Sequence, residues 1–133
     1  MKAVTFGLVC LFACLTLVLP LIAQEGHPLS GSWTGDWGMN AQQRNHVLIE
    51  MKWTGKELVG TINPGPNASP MKVATLNPAD WSVHIEADVK DANGRAVATV
   101  IDGKIENLGS YNRIISGTWT TGGMRGTFEI SRQ

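Results

Sequence analysis

Beyond residue 14 the chain has no cysteine. Its two, Cys10 and Cys14, both lie in one apolar N-terminal run. The rest of the chain therefore offers no disulfide, no thiol nucleophile and no thiolate metal site. An excess of one charge is missing too: 11 Lys and Arg balance 11 Asp and Glu, and no block of like charge occurs. The absence of a basic face argues against a nucleic-acid partner. The absence of a basic amphipathic helix argues against a membrane-surface role. No Gly-any-Ser-any-Gly elbow, phosphate loop or His-Glu helix motif is found, so no familiar catalytic frame is present. No cofactor and no metal are implied.

The first 23 residues read as a signal peptide. Met1-Lys2 is a short positive start, and Ala3 to Ile22 is almost wholly apolar. Pro20 breaks the run, and Ala23 supplies the small residue before Gln24. This is the order of a bacterial-type secretory signal, with cleavage expected after Ala23. The alternative is an uncleaved anchor, because the run is nearly long enough to span a bilayer. Leu11-Phe12-Ala13-Cys14 is a poor lipidation box, since Phe12 is bulky and the apolar run continues past Cys14. Cleavage leaves residues 24–133, a chain of 110 residues, which suits one compact domain. The expected division is signal peptide 1–23, disordered leader 24–28 and β domain 29–133, in the periplasm or outside the cell.

From residue 29 the apolar residues alternate, and Gly, Pro, Asn and Asp interrupt them at short intervals. That pattern predicts strands and turns. Strands are expected at Leu29 to Trp37, His46 to Trp53, Leu58 to Asn63 and Met71 to Leu76. Four more are expected at Trp81 to Val89, Ala96 to Ile105, Ile114 to Thr120 and Met124 to Ser131. Asn63 to Pro70 reads as a loop, because its prolines lack ladder donors. Asn93-Gly94 marks a hairpin, and Asp102-Gly103 suggests a bulge. Eight short strands with short connections predict an all-β fold, an eight-stranded antiparallel up-and-down barrel, with a β-sandwich as the alternative.

A repeat supports the barrel. Leu29-Ser-Gly-Ser-Trp33, Leu58-Val-Gly-Thr-Ile62, Ile115-Ser-Gly-Thr-Trp119 and Met124-Arg-Gly-Thr-Phe128 share one pattern. Each has an apolar residue, any residue, Gly, Ser or Thr, and a second apolar residue. A period of two sets the glycine and both apolar residues on one face. Small beside large on an inner face is what a tapering barrel needs. Gly31, Gly60, Gly117 and Gly126 are therefore read as structural, with Trp33 and Trp119.

Gly31-Ser32-Trp33 resembles the Gly-any-Trp start of calycin barrels, the lipocalin and avidin group. Gly31 to Asp36 together with Leu58 to Ile62 is similar to the first strands of avidin-like proteins. The resemblance implies that Trp33 closes one barrel end beneath an arginine of the last strand, Arg132 or Arg125. Biotin-contacting residues find no match, so biotin binding is not implied. The chain also resembles a group of small secreted bacterial proteins, through Gly31 to Gly38, Asn63 to Asn67, Val100 to Lys104 and Ser116 to Trp119. That likeness implies the fold and export, and no activity.

Two sets of residues invite a functional reading. His84, Glu86 and Asp88 share one strand face, which an acid–base or metal role would require. Same-face neighbours on a strand stand about 7 Å apart and splay, so a solvated polar face is the expectation. The five tryptophans, Trp33, Trp37, Trp53, Trp81 and Trp119, all fall in phase with the aliphatic residues and are expected to be mostly buried. Trp37 and Trp53 end their strands and are the candidates for lining a ligand cavity. The expected function is a secreted or periplasmic non-enzymatic binding protein for a small apolar ligand. The alternative is a protein-interaction or cell-envelope-associated module. A hydrolase or isomerase with an unfamiliar site comes third, and a carboxylate brought to His84 and Glu86 in a cleft would favour it.

Overall fold

The computed structural model describes residues 27–110 and 112–133. The expected signal peptide, Gln24 and most of the expected leader lie outside the described residues. The eight strands are β1 (Gly31–Gly38), β2 (Arg44–Trp53), β3 (Leu58–Ile62), β4 (Ser69–Asn77), β5 (Ser82–Lys90), β6 (Ala96–Glu106), β7 (Ile114–Thr121) and β8 (Met124–Arg132). Each pairs antiparallel with the next, and β1 pairs with β8 from Trp33↔Arg132 to Gly38↔Thr127. The sheet is thus a closed up-and-down barrel. Closure excludes the sandwich alternative and leaves no sheet edge around the ring.

Alternation decides which side chains fill the interior. In β5, Val83, Ile85 and Ala87 are buried at 1%, 1% and 2% exposure, while His84 and Glu86 between them are only half-buried. Val47, Ile49 and Met51 of β2, Ile101 and Ile105 of β6, and Phe128 and Ile130 of β8 follow the same rule. Burying each such side chain stabilises by about 1.5–3 kcal/mol relative to exposure.

Glycines make the inner wall close enough to fill. Gly103 and Gly117 are ladder partners, and Gly117 also opposes Phe128. A Cβ on Gly103 would lie 2.9 Å from Phe128 Cζ, so the phenyl ring occupies the space a side chain would need. Gly126 does the same for its ladder partner Trp119, whose Cε2 lies 2.9 Å from where a Cβ would stand. A Cβ on Gly60 would meet Met71 Sδ at 3.0 Å.

The turns set the ends. Thr121 and Met124 are joined by Gly122-Gly123, with φ of 52° and 83°; these left-handed angles fit a two-residue turn that only glycine adopts freely. Between β5 and β6, Asp91 Oδ1 accepts from the Asn93 and Arg95 N–H groups, 2.9 Å each, and Gly94 takes φ 78°. One end of the barrel carries loops 39–43, 63–68, 91–95 and 122–123. The other carries loops 54–57, 78–81 and 107–113, with both described termini.

Three local expectations are corrected. The ladder at Asp102 and Gly103 is regular; the irregularity falls in β4, between Met71 and Val73. Ser69 and Pro70, expected in the loop, already pair with Ile62 and Thr61. Proline is tolerated there because pairing between β3 and β4 is limited to those two positions, a frayed seam that demands few donors. Trp81, expected to open the fifth strand on its inner face, precedes it with φ 59° and is 40% exposed. The left-handed residue ends the Asn77–Asp80 turn and swings the indole outward, while its carbonyl accepts from Ile105 N at 3.0 Å.

Candidate functional site

One end of the barrel is plugged. Leu29 and Trp33 are fully buried there, and Trp33 Nε1 donates to the Leu29 carbonyl at 2.8 Å. Arg113 ties the plug down, donating from Nη1 to the Pro28 carbonyl and from Nε to the Leu108 carbonyl. Arg132, inward-facing by its alternation with Phe128 and Ile130, lies over Gly31: a Cβ there would meet Arg132 Nε at 2.9 Å. Arg132 is also the ladder partner of Trp33. Arg125, the other arginine considered for this part, is exposed at the opposite end of β8. His27, expected in a free leader, stacks on Trp53 at 5.0 Å, and its Nδ1 accepts from Leu29 N at 3.2 Å.

The opposite end is open. A cavity of about 440 Å³ lies in its mouth, lined by Trp37, Val89, Val97, Thr99, Trp119, Thr121 and Met124, with Asn45, Lys90, Asp91 and Gly122 around the rim. Trp37 and Trp119 face one another at 5.6 Å between ring centroids, tilted by 47°. Trp119 Nε1 donates to the Thr127 carbonyl at 3.2 Å, which fixes the indole so that it offers the cavity a ring and not its N–H. Phe128 and Ile101, ladder partners of Trp37 and Trp119, are 4% and 2% exposed and belong to the buried core. Below them the barrel is filled with side chains. Larger hollows, of about 630, 540 and 520 Å³, are a groove outside β1 to β3, a recess among the loops of the plugged end, and a hollow beside the mouth along loop 39–43, which shares Asn45, Trp119 and Met124 with the cavity.

The expected pairing of Trp37 with Trp53 is therefore corrected. Both end their strands, but β1 and β2 run antiparallel, so Trp37 lies at the mouth and Trp53 at the plug. All five were expected to be mostly buried: Trp33 and Trp119 are, at 0% and 7% exposure, whereas Trp53 and Trp81 are 39% and 40% exposed. Trp37 is half-buried. Trp119, read as structural, also walls the cavity. The Thr99–Thr121 pair was not anticipated, although the alternation Val97, Thr99, Ile101 already turns Thr99 inward.

His84 gains a partner that its own strand could not supply. Its Nδ1 lies 2.6 Å from Asp102 Oδ1 on β6, and its Nε2 lies 3.2 Å from Glu86 Oε2. The hydrogen bond to Asp102 raises the His84 pKa above its ordinary value; Glu86 adds to this and partial burial opposes it. The cluster sits on the outer wall, with side chains 39% to 60% exposed. Asp88 is paired instead with Lys72 at 2.7 Å. Among the described residues no group of three or more His, Cys, Asp or Glu is placed to hold a metal ion.

No protein-family model, curated protein or solved structure matches the chain.

Proposed function

We propose that the chain is a non-enzymatic binding protein that takes a small apolar ligand in the open mouth of its barrel. The observation that carries this reading is the 440 Å³ cavity walled by Trp37 and Trp119 at the one unplugged end. Cavities of about 300–1,000 Å³ with apolar walls and a few polar groups are the usual form of small-molecule sites. The plug of Leu29, Trp33, Arg113 and Arg132 makes the barrel a cup. A tryptophan on the first strand beside an arginine of the last also supports a calycin-like affiliation. The N-terminal signal pattern supports export, by a bacterial-type route, to the periplasm or the cell exterior. The catalytic reading has less support, because the carboxylate that meets His84 does so on the outer wall, where the three side chains are 39% to 60% exposed.

Titration with N-phenyl-1-naphthylamine tests the proposal. We expect saturable, one-to-one enhancement of its emission with quenching of tryptophan fluorescence, and at least tenfold weaker binding in Trp37→Ala. Unsaturable or absent binding would contradict it. The interaction-module reading draws on Val59 and Val73, each 37% exposed on the adjacent strands β3 and β4. It predicts that Val59→Ser abolishes a physical association, detected by cross-linking in the native compartment, while leaving naphthylamine binding intact.

A further inference from the structure

We propose that the mouth selects an uncharged, flat ligand bearing one hydroxyl or carbonyl group. Its ring system packs against the Trp37–Trp119 pair, and its polar group meets the Thr99–Thr121 pair. The inference rests on the reading of the mouth as a binding site and adds the chemistry of the ligand.

Charge complementarity comes first. The side chains that point inward at the mouth, from Trp37 and Asn45 to Thr99 and Thr121, carry no formal charge. Two charged residues stand at the rim. Lys90 continues the outward series Ser82, His84, Glu86, Asp88. Asp91 Oδ1 is occupied by the backbone N–H groups of its own turn. Nearby Arg44 is held by Asp36, at 2.5 Å, and by Thr127 Oγ1, at 3.0 Å. A charged group carried inside would lose water and meet no inward counter-charge, which is costly.

The mouth also holds a spare hydrogen-bonding position. Thr99 and Thr121 are ladder partners with their hydroxyls 2.9 Å apart, and Thr99 Oγ1 also lies 3.0 Å from the Val97 carbonyl. Each hydroxyl has one proton. If Thr99 donates to Val97, Thr121 donates to Thr99 and keeps a lone pair for the cavity. If Thr99 donates to Thr121, the Thr121 proton is free. The same pair therefore serves a ligand hydroxyl or a ligand carbonyl. Thr99 is 2% exposed, so Thr121 is the member that reaches the ligand. The two indoles, 5.6 Å apart and tilted by 47°, touch one another, so a flat ring system packs by offset or edge contact on the indole surface that the pair turns to the cavity.

Displacement of bound N-phenyl-1-naphthylamine at neutral pH by naphthalene, 2-naphthol and 2-naphthoate tests this. We expect 2-naphthol to displace at concentrations about three- to tenfold below naphthalene, the gain of one net hydrogen bond, and 2-naphthoate to be the weakest of the three. Thr121→Val should abolish the advantage of 2-naphthol over naphthalene, and Thr121→Ser should keep it. Preference for 2-naphthoate, or a 2-naphthol advantage that survives Thr121→Val, overturns the inference and leaves the binding reading standing. Failure of the naphthylamine itself to bind overturns both.

Discussion

Alanine at Gly117 would set a methyl group against backbone. A Cβ there lies 2.5 Å from Gly103 Cα and 2.9 Å from the Asp102 carbonyl carbon, where ordinary contacts begin at 3.4 Å. The β6 and β7 strands would have to part by roughly 1 Å, which strains the ladder from Ile101↔Trp119 to Ile105↔Ile115. Neither clashing atom belongs to a flexible side chain, so relaxation must move main chain, and Phe128 packs over the same pair. Overpacking of this kind costs about 1–3 kcal/mol, and a backbone clash puts Gly117→Ala near the top of that range. For a domain of this size each kcal/mol lowers Tm by about 4 °C, so a drop of roughly 8–12 °C is expected. Gly109→Ala is the control: nothing lies within 4 Å of its Cβ position, and the change should stay within about 0.5 kcal/mol. Thermal and urea melts followed by circular dichroism read both. A Gly117→Ala protein that melts within about 2 °C of the native one would refute the inward-glycine account of the wall.

The other predictions concern the plug, the histidines and the N-terminus. Trp33→Ala should cost about 3–5 kcal/mol in urea melts, as expected for a fully buried indole, while half-buried Trp37→Ala should cost less and weaken ligand binding more. His84 should titrate above its ordinary range by NMR, and Asp102→Asn should bring it down. Because its folded pKa is raised, its contribution to stability is complete below the unfolded pKa and is lost as pH rises through the folded one. His27 should behave oppositely: burial lowers its pKa, so its contribution is present above the unfolded pKa and is lost as pH falls through the folded value. Mass spectrometry of the exported protein should find Gln24 as the first residue.

Much of the barrel was legible because two local rules agreed along most of its strands. Strict alternation, as in Val83, Ile85 and Ala87, fixed which face turns inward, and the four Gly-centred repeats fell on that same face. What escaped the sequence depended on direction, register or a single dihedral. Trp37 and Trp53 look equivalent as strand-end indoles, and only the antiparallel order of β1 and β2 sends them to opposite ends. Asp102 meets His84 because the turn at Asp91–Arg95 pairs Lys90 with Ala96 and the register then runs unbroken to those residues. Trp81 fits the alternation by position, yet its left-handed φ turns it outward, and nothing in the neighbouring residues encodes that angle. The Thr99–Thr121 pair needs the β6–β7 register before either hydroxyl has a partner.

The five indole N–H groups provide the most direct measurement of the central claim. Their cross-peaks in a ¹H–¹⁵N spectrum, assigned by substitution, report separately from the mouth, the plug and the outer wall. On titration with N-phenyl-1-naphthylamine the account predicts that Trp37 and Trp119 shift together and saturably, while Trp33, Trp53 and Trp81 hold their positions. Shifts centred on Trp53 or Trp81, or no shift at Trp37 and Trp119 on adding the naphthylamine, would contradict it.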